Sequence, residues 1–317
     1  ALDIFTAFEH LSIAPTREHT CAVVAVTQQE SSFQANPAVP GLPAIAWREI
    51  DTRAEKHGIP KLVVHAALQL PSPTGKSYGE RLDHAGTEKD LSDIFEDFIG
   101  MAPLGKKLFA DWNPVRTGGP MQVSVAFAER HAADKAYPYP IVTNIRGEVF
   151  TRRGGLYFGI AHLFDYPAAY DDMLYRFADY NAGHYSSRNA AFQNALNIAA
   201  KATLALDGDL VRYGDMDAPS KTELAARKIA SRLDMSEREI HRDLERGEAE
   251  DFAASALYER VFAAAEKQKG VKLPRAVVPR IKLDSAKITR SLSTDWFARR
   301  VNERYKQCLR NSAAESK

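Results

Sequence analysis

The sequence predicts a mainly α-helical fold. Apolar residues recur at three- and four-residue spacing over most of the 317 positions, the pattern of helices that bury one face. Two capping boxes, Thr87 with Asp90 and Ser236 with Glu239, stand just ahead of such runs. One stretch alone, TLALDGDLVRY (203–213), alternates as a strand does, with Asp207-Gly208 placed as a two-residue hairpin turn.

Taken in order, Leu2, Phe5 and Phe8 make a first short stripe, and Thr16 is placed to cap a helix carrying Cys21 and Val24 toward Glu30. Ile45, Trp47, Ile50 and Ala54 predict a helix stopped by Gly58, and Pro60 opens another through Leu62, Val63, Ala66 and Leu70. Behind Thr87 come Leu91, Ile94, Phe95, Phe98 and Ile99. The segments LPSPTGKSYGE (70–80) and DWNPVRTGGP (111–120) are rich in turn formers and read as surface loops. Helices are then expected around 123–131, 155–165, 170–180 and 187–200. After the hairpin the chain is helical again, through Phe252, Leu257, Val261 and Phe262, and finally Trp296, Phe297, Val301 and Tyr305, with a frayed NSAAESK tail.

With 42 basic and 41 acidic residues the net charge is +1, so no global electrostatic attraction draws the chain to nucleic acid or an anionic membrane. No apolar run approaches the roughly 18 to 20 residues of a spanning helix. The chain opens on ALDIF without an initiator methionine, from which we expect an upstream segment removed by processing. Cys21 and Cys308 are either a bridge between the two ends or two buried thiols. No Cys or His cluster has metal-ligand spacing, and RTGG and RRGG are too short to cradle phosphates.

The chemically informative position is Glu30. It follows the small apolar run CAVVAV and precedes the break at Asn36-Pro37, which places a carboxylate at a helix C-terminus beside apolar side chains and Phe33. The negative end of the helix and partial desolvation both favour the neutral acid. A carboxylic acid kept protonated near neutrality is suited to protonating a leaving oxygen, as glycoside cleavage requires.

Glu30-Ser31, Gly119-Pro120-Met121-Gln122, the GLYFGIAHL segment (155–163) and Tyr180-Asn181-Ala182-Gly183 follow in that order. This set resembles the motifs of the family-1 lytic transglycosylases, in the soluble-lytic-transglycosylase and goose-type-lysozyme superfamily. The resemblance covers about residues 16–200. It implies a lysozyme-like helical domain that cleaves peptidoglycan glycan strands without metal or organic cofactor. Glu30 would be the catalytic acid and base, and Ser31 would orient it or touch the sugar. Met121 and Gln122 would line the cleft near the scissile bond, with Tyr180 and Asn181 as the opposite wall. A second carboxylate, Asp179 or Glu148, is not required by that family's chemistry.

Three departures stand out. Glu30 and Gln122 are separated by an inserted helical segment at about 42–116, Pro120 replaces the usual Leu, and Asp179 replaces the Ala before Tyr180. The expected organisation is a lysozyme-like domain over 1–213 carrying that insertion and the small hairpin, with a C-terminal helical region over 214–317. The insertion and the substitutions motivate a rival reading, a catalytically silent peptidoglycan-binding or envelope-scaffolding lipoprotein.

Nearly the whole chain also resembles the YaiW-like group of Gram-negative outer-membrane lipoproteins, through NPAVPGLPAIAWREID, NPVRTGGPMQVS, FTRRGGLYFG, FADYNAG, ALDGDLVRY and the late Cys308. That resemblance implies a periplasmic protein held at the outer membrane by an N-terminal lipid anchor, with envelope proteins as further partners. It favours the Cys21–Cys308 bridge, because the periplasm is oxidising.

Overall fold

The computed structural model describes residues 1–101, 113–212, 218–283 and 292–314. They are mainly helical and form two compact units, the first of Ala1–Ala14 with Thr27–Ile160 and the second of Pro15–Val26 with Ala161–Lys317. The divisions fall inside two helices, α2 (Arg17–Ser31) and α9 (Arg152–Phe164).

The first unit opens with α1 (Leu2–His10), which buries Ala7 and Phe8 while Leu2 and Phe5 stay exposed. Of the predicted stripe only Phe8 is core. Four helices follow: α3 (Leu42–Lys56), α4 (Lys61–Leu68), α5 (Tyr78–Asp83) and α6 (Glu88–Gly100). Leu42, Ala46 and Ile50 of α3 recur every fourth residue and meet Leu68, Tyr78, Leu82, Leu91 and Ile94 in one apolar cluster. The Thr87–Asp90 capping box forms at α6 as expected. Helix α5 begins inside the stretch expected to be loop. Ser77 accepts from the Glu80 N–H and Glu80 accepts from the Ser77 N–H, a third capping box that the surrounding prolines and glycines conceal. Tyr78, its first residue, is fully buried.

A two-stranded hairpin, β1 (Thr117–Gly118) with β2 (Val123–Ser124), leads into α7 (Val125–Asp134), whose first turn Ser124 caps by accepting from the Phe127 N–H. A short α8 (Ile145–Val149) precedes α9.

In the second unit, Thr16 caps α2 by accepting from the His19 N–H. After α9 come α10 (Met173–Ala182) and α11 (Ser186–Ala200). Helix α11 is buried on almost every side and packs its Phe192, Ala195, Leu196 and Ala199 into the core of this unit. Around it lie α12 (Lys221–Arg227), α13 (Ala230–Leu233), α14 (Glu237–Glu245) and α15 (Ala256–Lys269). The Ser236–Glu239 box caps α14. Phe252 belongs to a 3-10 turn before α15 rather than to that helix. A second pair, β3 (Lys282–Leu283) with β4 (Leu292–Ser293), precedes α16 (Thr294–Ala314), which runs helically through most of the expected frayed tail.

The hairpin expected at 203–213 does not form over its described residues, 203–212; Tyr213 lies outside the described residues. Side chains of α11 take the backbone groups a ladder would have used. Asn197 accepts from the Leu204 N–H and donates to the Leu204 carbonyl. Gln193 accepts from the Gly208 N–H and donates to the Asp209 carbonyl and the Asp207 carboxylate. Among the described residues the small antiparallel sheets are the two pairs above, and alternation alone does not distinguish a strand from an extended segment strapped to a helix.

Cys21 and Cys308 form a disulfide with Cα atoms 5.6 Å apart, joining α2 to α16 across a sequence separation of 287. Both cysteines lie in the second unit. Closing so long a loop restricts the unfolded chain strongly. The double variant Cys21→Ala/Cys308→Ala should lose about 2–5 kcal/mol of stability, read as a lower midpoint in chemical denaturation, and reductant should then shift wild type but not the variant.

Candidate functional site

Glu30 and Ser31 end α2, and the sequence explains the abrupt stop. Ala22, Val23, Ala25, Val26 and Thr27 are buried, so the helix is fixed up to its last turn. The next two residues, Ser32 and Phe33, both take left-handed backbone angles, φ 52° and 67°. Such angles cost roughly 1–2 kcal/mol per non-glycine residue, and consecutive ones turn the chain sharply away from the helix axis. Phe33 projects outward and is 57% exposed, while the helix before Glu30 is buried.

The Glu30 residue is half-buried, and desolvation of its carboxyl pushes the pKa from the ordinary value up to about 8. The negative helix end acts in the same direction. Among the described residues no cation or hydrogen-bond donor sits on the carboxyl to offset this. Desolvation and the helix end both favour the neutral acid, the direction its sequence context predicts.

Ser31 ties this helix end to the second motif. Its hydroxyl donates to the Pro120 carbonyl at 2.7 Å, with the Thr27 carbonyl a longer second contact at 3.2 Å. Pro120 lies in the tight turn between β1 and β2, where Gly119 (φ 75°) and Gln122 (φ 50°) are left-handed. Gln122 braces the turn itself. Its backbone and side-chain N–H groups both donate to the Gly119 carbonyl, and its side-chain oxygen accepts from the Thr117 hydroxyl. Met121 is fully buried and lies against Gly159 of α9.

The third motif fits the second because it lacks side chains. A Cβ at Gly119 would lie 2.1 Å from the Val149 carbonyl oxygen, one at Gly155 would lie 2.4 Å from the Pro120 ring, and one at Gly159 would lie 2.6 Å from Met121. Gly119 and Gly155, one from each Gly-Gly pair, meet each other in an interlock of turn against helix, while Gly118 faces Phe150 and Gly154 faces the Glu148 carbonyl and Tyr137. This is the function of RTGG and RRGG that sequence spacing left open; the repetition of the pair in two segments was the available signal. The Pro120 ring lies on Gly155.

The fourth motif lies in the second unit, at the C-terminal end of α10. Tyr180 is buried; its carbonyl accepts from the His162 ring, and the two rings lie 4.9 Å apart. Asn181 accepts from the Thr294 hydroxyl at the start of α16. The structure thus joins Glu30, Ser31, Met121 and Gln122 in one unit and holds Tyr180 and Asn181 in the other.

Asp179, the departure beside Tyr180, is fully buried and accepts from the Tyr166 and Tyr170 hydroxyls and the Tyr185 and Ser187 N–H groups. Burial pushes it up to about 6, held back chiefly by the Tyr170 and Ser187 donors. Glu148 is likewise buried, accepting from the Tyr137 hydroxyl and the Val142 N–H. Both carboxyls organise loops. Among the described residues no group of three or more His, Cys, Asp or Glu is placed to hold a metal ion.

Two outcomes test this construction. Gly155→Ala should destabilise the chain by about 1–3 kcal/mol through overpacking on Pro120, measured by urea denaturation. Glu30 holds its proton in the folded chain up to about pH 8, whereas the unfolded chain releases it near 4.5. The folded state is the more protonated between those values, so stability falls as pH rises through that window. Glu30→Gln should flatten this decline, read as melting temperature against pH.

Comparison with known proteins places the chain. A relative described as "Uncharacterized protein YaiW", from Escherichia coli strain K12, is 57% identical over 310 residues, covering 98% of this chain and 84% of the relative. This bears out the YaiW-like resemblance read from the sequence. No solved structure matches. No helix among the described residues is long and apolar enough to cross a membrane. A family model described as "Protein of unknown function (DUF1615)" matches residues 1–311, and the chain belongs to that family.

Proposed function

We propose that the chain is a peptidoglycan lytic transglycosylase with Glu30 as its single acid and base. The observation that carries this reading is the Glu30 carboxyl, desolvated until it titrates at about 8 and fixed at a helix end that Ser31 fastens to the Gly-Gly-Pro-Met-Gln turn. The neutral acid protonates the oxygen of the β-1,4 bond between N-acetylmuramic acid and N-acetylglucosamine, and that bond breaks as positive charge develops on the muramic C1. The substrate's N-acetyl group supports the charge, so no protein nucleophile is needed. Glu30, now a carboxylate, takes the proton from the muramic C6 hydroxyl as its oxygen bonds to C1. The product is a 1,6-anhydro sugar; no water is consumed and the acid is restored.

The proposed fold is lysozyme-like: an acid at a helix end, a small hairpin and a following glycine-notched helix, with α3 to α6 inserted between the acid and the hairpin. Tyr180 and Asn181 enter through the order of the motifs. A periplasmic, lipid-anchored location at the outer membrane of a Gram-negative cell is part of the proposal, supported by the disulfide, which persists in oxidising compartments.

The rival reading, a silent peptidoglycan-binding or scaffolding lipoprotein, is favoured by two observations. Met121 is fully buried and the Gln122 amide is engaged within its own turn, so neither is idle for a sugar. Purified sacculi separate the readings. Wild type should release anhydromuropeptides, Glu30→Gln should release none while melting as a folded protein, and wild-type activity should fall as pH rises past about 8. Identical products from both proteins would refute the transglycosylase, and products heavier by one water would indicate a hydrolase.

A further inference from the structure

The second unit contains a cavity of about 810 Å³ between the segment after α9, the start of α11, the turn before α15 and the extended strand of chain after it. Its volume lies within the roughly 300–1,000 Å³ typical of small-molecule sites. Four tyrosines line it, Tyr170, Tyr175, Tyr185 and Tyr258, with Pro167 and Pro274 as stiff walls. None of the residues assigned above to the peptidoglycan site is among its walls.

The polar groups decide what chemistry fits. The Tyr170 hydroxyl is engaged by Asp179. The hydroxyls of Tyr175, Tyr185 and Tyr258 have no hydrogen-bond partner among the described residues. Each is a donor and an acceptor set beside an aromatic face.

Two arginines also border the cavity, and both are already spent. Arg188 is buried and donates to the Gly247, Ala249 and Glu250 carbonyls and to the Asn189 side chain, with its guanidinium 4.2 Å over the Tyr185 ring. Arg275 donates to Glu266 and the Leu273 carbonyl and lies over Phe262. Two exposed carboxylates at the edge, Asp171 and Glu250, are not ion-paired among the described residues.

An anionic ligand would therefore meet no free cation and two free carboxylates. A cationic ligand would meet those two carboxylates at the exposed edge, but further in a buried guanidinium that among the described residues has no carboxylate in direct contact and already covers the Tyr185 face. What remains is a neutral molecule with apolar faces for the tyrosine rings and many hydroxyls for the phenols and carboxylates. We propose that this tyrosine-lined cavity is a binding site for a neutral saccharide of disaccharide size. The proposal does not rest on Glu30 and is read by binding rather than cleavage, so the two readings fail separately.

The test is titration of the full chain with N,N′-diacetylchitobiose and maltose, followed by calorimetry and by amide NMR shifts, with glucuronate and trilysine as charged probes. At least one neutral disaccharide should bind saturably and shift resonances around Tyr175, Tyr185 and Ala276. Tyr175→Ala removes a partly exposed ring and should weaken that binding by about tenfold; Asp171→Asn, on the exposed edge, should weaken it less without lowering the melting temperature. Shifts confined to other parts of the chain, binding unchanged in both variants, or trilysine or glucuronate binding here in place of the neutral sugars would overturn the proposal.

Discussion

The bond from the Ser31 hydroxyl to the Pro120 carbonyl is the constraint on which the candidate site depends, because it joins segments 89 positions apart. The helix bearing Glu30 stops where two successive residues enter left-handed backbone space, an arrangement that is costly unless something outside the helix fixes it. The turn that receives the bond is itself left-handed at Gly119 and Gln122. Two strained segments thus stabilise each other through one buried hydrogen bond, and the glycine interlock with α9 supports the turn from its other side.

The same logic runs through the second unit with a different centre. Asp179 takes four donors, two from tyrosine hydroxyls and two from backbone N–H groups, and so sets the reversal of direction between α10 and α11, where Tyr185 is left-handed. Helix α11 then uses side chains that a helix ordinarily shows to solvent. Gln193 and Asn197 strap down the segment after it, and Arg188 collects the carbonyls before α15. A helix buried all round can carry polar residues only if each finds partners, and these do.

Legibility in the sequence followed the range of the forces involved. The caps at Thr16, Thr87 and Ser236 and the apolar stripe of α3 are local, and the residues that make them lie within a few positions of each other. The third cap, Ser77 with Glu80, was equally local but masked by neighbouring prolines and glycines. The segment at 203–212 alternates as a strand does, but its hydrogen-bond partners, Gln193 and Asn197, lie on the preceding helix, and alternation carries no record of them. At the site, the protonated state of Glu30 was readable from a small apolar run ending in an acid. The engagement of Met121 and Gln122 in supporting the turn was not, since it depends on Gly159 and Thr117 arriving from elsewhere.

Three fully buried acids differ from the half-buried Glu30 in their partners. Glu148 receives a phenol and a backbone N–H, Asp179 receives four donors, and Glu223 is paired with Arg227 and His241. Each of these carboxyls is buried, and each has hydrogen-bond donors or cations in contact with it. At Glu30 the desolvation is present and the donors are absent among the described residues. A carboxyl desolvated without compensation costs stability above its unfolded pKa. In the proposed reaction it is the group whose proton leaves and returns.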